Sequence, residues 1–237
     1  LVPSFYRPLT DNDAFSTWVW SLSERQGAYD RWCVKPKNTE LTDISVDTSD
    51  KYAKVTASVQ IKTDPVSTLV LTYFFYANGE LEVNYECDVN QSDDYIPEIG
   101  MLVQLDPAYE NLKWYGNSGE TYWDRKQGAT VQVNESTVED QYFKYIRPQE
   151  TGNHTDVRWM SLTDEQGTGL IIMSKNFDEL LEANALHYLP EDITDLDTNT
   201  YQHNLNRTDN IVLRILKHQS GLGGDNTWGA QPHAQYK

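Results

Sequence analysis

The run Gly221-Leu222-Gly223-Gly224-Asp225-Asn226-Thr227-Trp228-Gly229 surrounds one indole with four glycines and the short polar side chains of Asp225 and Asn226. Glycine admits φ > 0 and close backbone approach, and Asn and Asp favour turns. The run therefore predicts an irregular loop holding Trp228 at its tip. An aromatic face with polar neighbours is what a pyranose needs, since its C–H groups stack on the ring while its hydroxyls find hydrogen-bond partners. The competing reading is a turn whose indole plugs the core, and composition alone favours that second reading.

Two further clusters mix aromatics, arginine and carboxylates around glycine. One runs from Trp114 through Glu120 and Asp124 to Arg125, the other from Tyr145 through Arg147, Glu150 and Asp156 to Arg158 and Trp159. Arg125, Arg147 and Arg158 are expected to form bidentate pairs with Glu120, Asp124, Glu150 or Asp156 and so pin long loops. The chain has no P-loop, no CxxC, no HExxH and no GxSxG. Its five histidines (His154, His187, His203, His218, His233) lack metal-ligand spacing. With 36 Asp and Glu residues, a glycosidase pair cannot be picked by counting, because retaining chemistry requires two carboxyls roughly 5–5.5 Å apart. No catalytic residue, metal or cofactor is assigned.

The elements that must position these clusters read as strands. Tyr52–Lys62 alternates, with Val55, Ala57, Val59 and Ile61 on one face. Val66–Tyr76 is rich in β-branched and aromatic residues, and Leu81, Val83, Tyr85 and Cys87 alternate on the return. Asn78-Gly79 between these two runs is the strongest hairpin signal in the chain. Further strands are expected at Ile99–Leu105, Leu112–Tyr115, Ala129–Val133, Tyr142–Ile146, Val157–Leu162, Gly169–Ser174 and Asn210–Leu216. Ser21–Arg31 could hold a short helix, Phe177–Leu186 has helix-like composition, and Pro190-Glu191-Asp192 could open one helical turn. No repeat and no linker divides the chain, which predicts one antiparallel, all-β sandwich over residues 1–237.

A chain of 237 residues needs no disulfide or metal staple. Cys33 and Cys87 read as free thiols, with one disulfide as the alternative. Lys and Arg number 19 against 36 Asp and Glu, a formal charge of −17. Such a surface repels phosphate backbones and anionic lipid, so nucleic acid and membrane are excluded as partners while neutral ligands such as sugars are not. No apolar run reaches 18 residues. Leu1 in place of Met points to an excised piece, and the compartment stays open between cytoplasm and periplasm.

Four motifs occur in order: Arg7 with Asp11-Asn12-Asp13; Trp114-Tyr115-Gly116 with Glu120, Tyr122 and Asp124-Arg125; Tyr145 with Arg147-Pro148-Gln149-Glu150, Asn153 and Asp156-Val157-Arg158-Trp159; and Gly223 to Gly229. Together they resemble the C-terminal domain of the glycoside hydrolase family 2 β-galactosidases, which also occurs as the small subunit of heterodimeric forms. The resemblance implies a large antiparallel β-sandwich (a supersandwich related to galactose mutarotase). It also implies that the nucleophile and acid/base glutamates of a retaining mechanism lie on a separate (β/α)8 barrel, in a homo-oligomeric parent enzyme acting on a β-galactoside or related oligosaccharide. This chain would pack on that barrel and be inactive alone. Trp228 matches the indole that stacks on the sugar in the outer, leaving-group subsite, which reverses the composition-based preference. Ala14–Leu22 matches a mobile loop near that site, where Trp18 and Trp20 could add a second aromatic surface. Two alternatives stand beside this reading: a stand-alone mutarotase-like enzyme using His187 with Glu150 as an acid–base pair, and an independent carbohydrate-binding module.

Overall fold

A computed structural model describes residues 1–13, 32, 39–63, 65–89, 96–176, 178–193 and 201–237. The expectations for Ala14–Leu22, Trp18, Trp20, Ser21–Arg31 and Cys33 lie outside the described residues. The chain divides into two compact units, Leu1–Tyr29 with Ile96–Lys237, and Asp30–Tyr95.

The first unit is an antiparallel sandwich. Its five-stranded sheet runs in the order β1 (Val2–Ser4), β6 (Glu98–Leu105), β13 (Ile211–Gln219), β12 (Leu181–Leu186), β9 (His154–Val157). Its four-stranded sheet runs β11 (Gly169–Met173), β10 (Trp159–Thr163), β7 (Asn111–Asn117), β8 (Val131–Thr137). The two sheets bury Ala183, Ala185, Ile211 and Leu213 from the first against Leu112, Trp114, Met160 and Leu162 from the second. Alternation then sends the intervening residues of β12 and β13, Glu182, Asn184 and Arg214, to the opposite face of the five-stranded sheet. All three are nonetheless buried there.

The second unit holds one antiparallel sheet in the order β2 (Thr39–Thr48), β3 (Tyr52–Ile61), β4 (Ser67–Tyr76), β5 (Leu81–Asp88). The β4–β5 hairpin closes around Asn78-Gly79, where Gly79 takes φ +88°. Its two faces differ completely. Leu41, Val59, Leu69 and Cys87 are directly opposite one another, as are Ile44, Ala57, Leu71 and Tyr85 one step along. The alternate face carries Asp43, Ser58, Val70 and Glu86 in register, then Ser45, Thr56, Thr72 and Asn84.

Three expectations are corrected. Leu181–Leu186 is a central strand, because Ala183 and Ala185 fit the thin space between packed sheets and tertiary context overrides their helix propensity. Tyr142–Ile146 is irregular, following a 3-10 turn at Glu139–Gln141, and Ile146 is fully open to solvent. Val157–Leu162 is two strands in different sheets, β9 and β10, divided at Arg158. Asp156 just before that change takes the left-handed φ of 54°, a conformation that Asp tolerates better than most residues. Finally, β2 is a strand that no periodicity announced.

Candidate functional site

Three of the motif clusters and the N-terminal segment converge on one open cleft of about 320 Å³ in the first unit, bordered by Asp11, Asn12, Glu120, Arg125, Tyr145, Gln149, Glu150, Gly223, Gly224 and Trp228. The glycine loop forms one rim. Gly223 and Gly224 take φ +71° and +78°. A Cβ at Gly223 would lie 2.4 Å from the Ala230 carbonyl oxygen, and one at Gly224 would lie 2.8 Å from Asn12 Oδ1. Only glycine fits both the conformation and the space.

The loop is held from several sides. The Asp124 carboxylate accepts hydrogen bonds from the Leu222 and Gly223 N–H groups at 3.0 and 2.8 Å, and Arg125 donates to the Gly223 carbonyl. Asn12 donates through Nδ2 to the carbonyls of Leu222 (3.0 Å) and Ala230 (2.9 Å), and accepts the Gly229 N–H on Oδ1 at 2.5 Å. Beneath them Arg7 and Asp13 form a fully buried pair at 2.8 Å, and Arg7 Nη2 also reaches the Gly221 carbonyl at 3.5 Å. So anchored, the loop carries Trp228 with 59% of its surface exposed. Asp225 and Asn226 are also exposed, but they do not border the cleft. The Asp225 carboxylate accepts from His233 Nε2 at 2.7 Å, a bond that holds its pKa below the usual range.

The opposite wall rests on carboxylates already committed to partners. Glu120 accepts from Tyr122 Oη (2.9 Å), Tyr145 Oη (3.3 Å) and Thr151 Oγ1 (3.1 Å), tying its own loop to the segment around residues 145–151. Burial raises its pKa. Glu150 is bound by Arg214 at 2.6 Å, and the same guanidinium holds Glu98 at 2.7 Å. All three side chains are at most 2% exposed. Ser4 Oγ donates to Glu98 at 2.5 Å and Gln219 Nε2 at 3.4 Å. Gln219 reaches Glu98 because the register shift between Leu216 and His218 turns it onto the same face of the sheet. Burial lifts Glu98 to about 7, against the opposing pull of Arg214.

For Arg125 and Arg158 the carboxylate pairs expected from the sequence are not the contacts formed. Arg125 serves the Gly223 carbonyl, and Arg158 donates to the Asp156 carbonyl at 2.6 Å while lying over the Tyr115 ring. Arg147 approaches Asp11 at 3.6 Å. Asp156 instead takes Lys126 at 2.7 Å and Asn117 Nδ2 at 2.9 Å. The arginine that holds the buried carboxylates Glu98 and Glu150 is Arg214 on β13. Its one signal was a charged residue inside the apolar run Ile-Val-Leu-Arg-Ile-Leu. Nor does His187 meet Glu150: its Nε2 lies 2.9 Å from Glu110 and its Nδ1 faces the Asn210 carbonyl. Among the described residues no three His, Cys, Asp or Glu side chains gather as a metal site.

The cleft thus presents an exposed indole and polar side chains, with its loop amides and buried carboxylates engaged in holding the walls.

Comparison with known proteins finds relatives along nearly the whole chain. The chain is 34% identical over 236 residues to a β-galactosidase of Priestia megaterium, an alignment covering 99% of this chain and 21% of that protein. It is 31% identical over 240 residues to the β-galactosidase BgaC of Bifidobacterium adolescentis, covering 98% of this chain and 21% of the relative. The β-galactosidase of Streptococcus thermophilus is 28% identical over 234 residues, 98% of this chain and 22% of its own length. The chain thus spans about a fifth of the length of the curated relatives it matches. The family described as the β-galactosidase small chain matches residues 1–237, and this chain belongs to that family.

Proposed function

We propose that this chain is the C-terminal accessory part of a retaining, family 2 β-galactosidase, packing on a catalytic (β/α)8 barrel and supplying an aromatic wall to the aglycone subsite. The observation that carries the reading is Trp228, exposed on a multiply anchored glycine loop at the rim of the cleft. A structural indole would be buried, and an unanchored one would lose more entropy on stacking than it could return. The bond-breaking carboxylates are assigned to the barrel, and this chain contributes recognition of the leaving-group sugar.

The test uses the full-length enzyme. A stacked aromatic contributes about 0.5–1.5 kcal/mol, so Trp228→Ala should weaken inhibition by aglycone analogues, and raise KM for lactose, roughly 2- to 12-fold. Inhibition by galactose should stay unchanged. An equal loss for both ligands would mean that the residue is structural.

A further inference from the structure

The second unit contains a surface that the aglycone reading does not use. On its four-stranded sheet, alternate directly opposed quartets from Leu41–Val59–Leu69–Cys87 to Thr48–Ala53–Phe75–Leu81 share one face, and Thr48 is the one residue among them that is neither apolar nor aromatic. Leu69 and Leu71 are buried, at 0% and 4%. Leu41, Ile44 and Val46 on edge strand β2 are 56–64% exposed, and Phe75 and Leu81 at the far end 47% and 41%, while Val55, Val59, Tyr73 and Tyr85 between them are half-buried. The opposite face carries Asp43, Asp47, Glu82 and Glu86 together with Lys54 and the contacting rings of Tyr52, Phe74 and Tyr76.

A sheet in water alternates so that its polar face meets solvent and its apolar face meets protein. Here the apolar face is buried at Leu69 and Leu71 on β4 and open along edge strand β2 and at Phe75 and Leu81. Strand spacing and rise make the grid roughly 19 Å by 27 Å, about 500 Å² in projection. The face is thus comparable in size to the largest apolar patch of a typical monomer, a patch that is often functional.

We infer that the open apolar face of β2–β5 is a docking surface for another part of the same β-galactosidase polypeptide, outside the 237 residues. Three observations choose this occupant. The relatives carry about four-fifths of their length beyond the region matched here, so a covalently linked partner is at hand and loses little translational freedom on docking. A second copy would bring another net charge of −17 against an acidic sheet, which opposes self-association. A sugar would need polar groups around its ring, and this face presents only tyrosine hydroxyls and Thr48. The inference rests on the β-galactosidase reading for the partner's identity, but not on any role of Trp228.

The experiment compares Ile44→Glu and Val46→Glu in the full-length enzyme and in the 237-residue chain, with Ser45→Glu on the opposite face as control. In the 237-residue chain the apolar-face variants should shift Tm by no more than about 2 °C and reduce binding of a hydrophobic dye. In the full-length enzyme they should lower Tm by about 4 °C or more, with the control silent in both. Hydrogen exchange of unmodified proteins adds a readout free of folding defects: β2 amides should exchange at least tenfold more slowly in the full-length enzyme. Equal, small Tm shifts in both proteins with unchanged β2 exchange would overturn the inference, because the face would then stay in water. Equal, large shifts in both would overturn it by showing that the chain covers the face itself. Light scattering that reports a dimer lost on Ile44→Glu, or lactose binding lost on Phe75→Ala, would replace the occupant. Trp228→Ala leaves all these thermal readouts unmoved, so the two proposals fail separately.

Discussion

Asp124 controls the glycine loop through two backbone N–H groups, at 3.0 and 2.8 Å. An ionised acceptor makes each bond stronger than a neutral one. Asp124→Ala should cost about 1–2 kcal/mol, discounted because the side chain is half-buried, and denaturant unfolding measures it. In the full-length enzyme the same change should weaken aglycone inhibition about as much as Trp228→Ala, since the indole loses its footing. Unchanged aglycone affinity in a destabilised Asp124→Ala enzyme would separate anchorage from recognition. At this scale the sequence was informative about types and uninformative about partners. Gly223 and Gly224 were legible because backbone geometry is a local property, whereas composition favoured a buried Trp228 and only the family resemblance pointed to its exposure. That Asp124 would serve backbone amides, and Arg214 two glutamates, depends on which loops lie over which strand.

Among the elements, β6 and β9 set an opposition between two titrating groups in the first unit. Burial lifts Glu98 on β6 to about 7, above its ordinary range. Its contribution to stability is therefore fully present below about pH 4.5 and is lost as pH rises toward 7. His154 on β9 is stacked on Trp114 at 4.0 Å, and burial depresses it to about 4. Its contribution is present above about pH 6.5 and is lost as pH falls toward 4. Between about pH 4.5 and 6.5 the two slopes oppose each other. Glu98→Gln removes one of them, so Tm of that variant should rise with pH across this window more steeply than in the unmodified protein. Thermal scans at pH 4.5, 5.5 and 6.5 read this directly, and parallel profiles would show that Glu98 is ionised throughout. Elements were legible where the pattern is short-range, as in the Asn78-Gly79 hairpin. They were not where a bulge breaks the alternation, as between Leu41 and Asp43 in β2. Nor were they where packing, more than propensity, makes the strand, as in β12.

For the molecule as a whole, the all-β class follows from alternation repeated along most of the chain, while the division into two compact units arises from long-range pairing that no linker marks. The described carboxylates at the cleft are held by Arg214, tyrosines and backbone amides. With the reacting pair assigned elsewhere, the purified 237-residue chain should neither hydrolyse nitrophenyl galactoside nor accelerate the polarimetric change of fresh α-galactose. Hydrolysis that survives purification would sink the accessory reading.

The side chain of Asn12 meets Leu222, Gly229 and Ala230 at once. Three short tethers from one amide leave the indole platform no independent freedom from the N-terminal stretch more than 200 positions away in sequence. Whatever displaces residue 12 drags the aromatic wall along with it. Asn12 and the Trp228 loop are thus tied into one unit, and a displacement of residue 12 should be registered at Trp228.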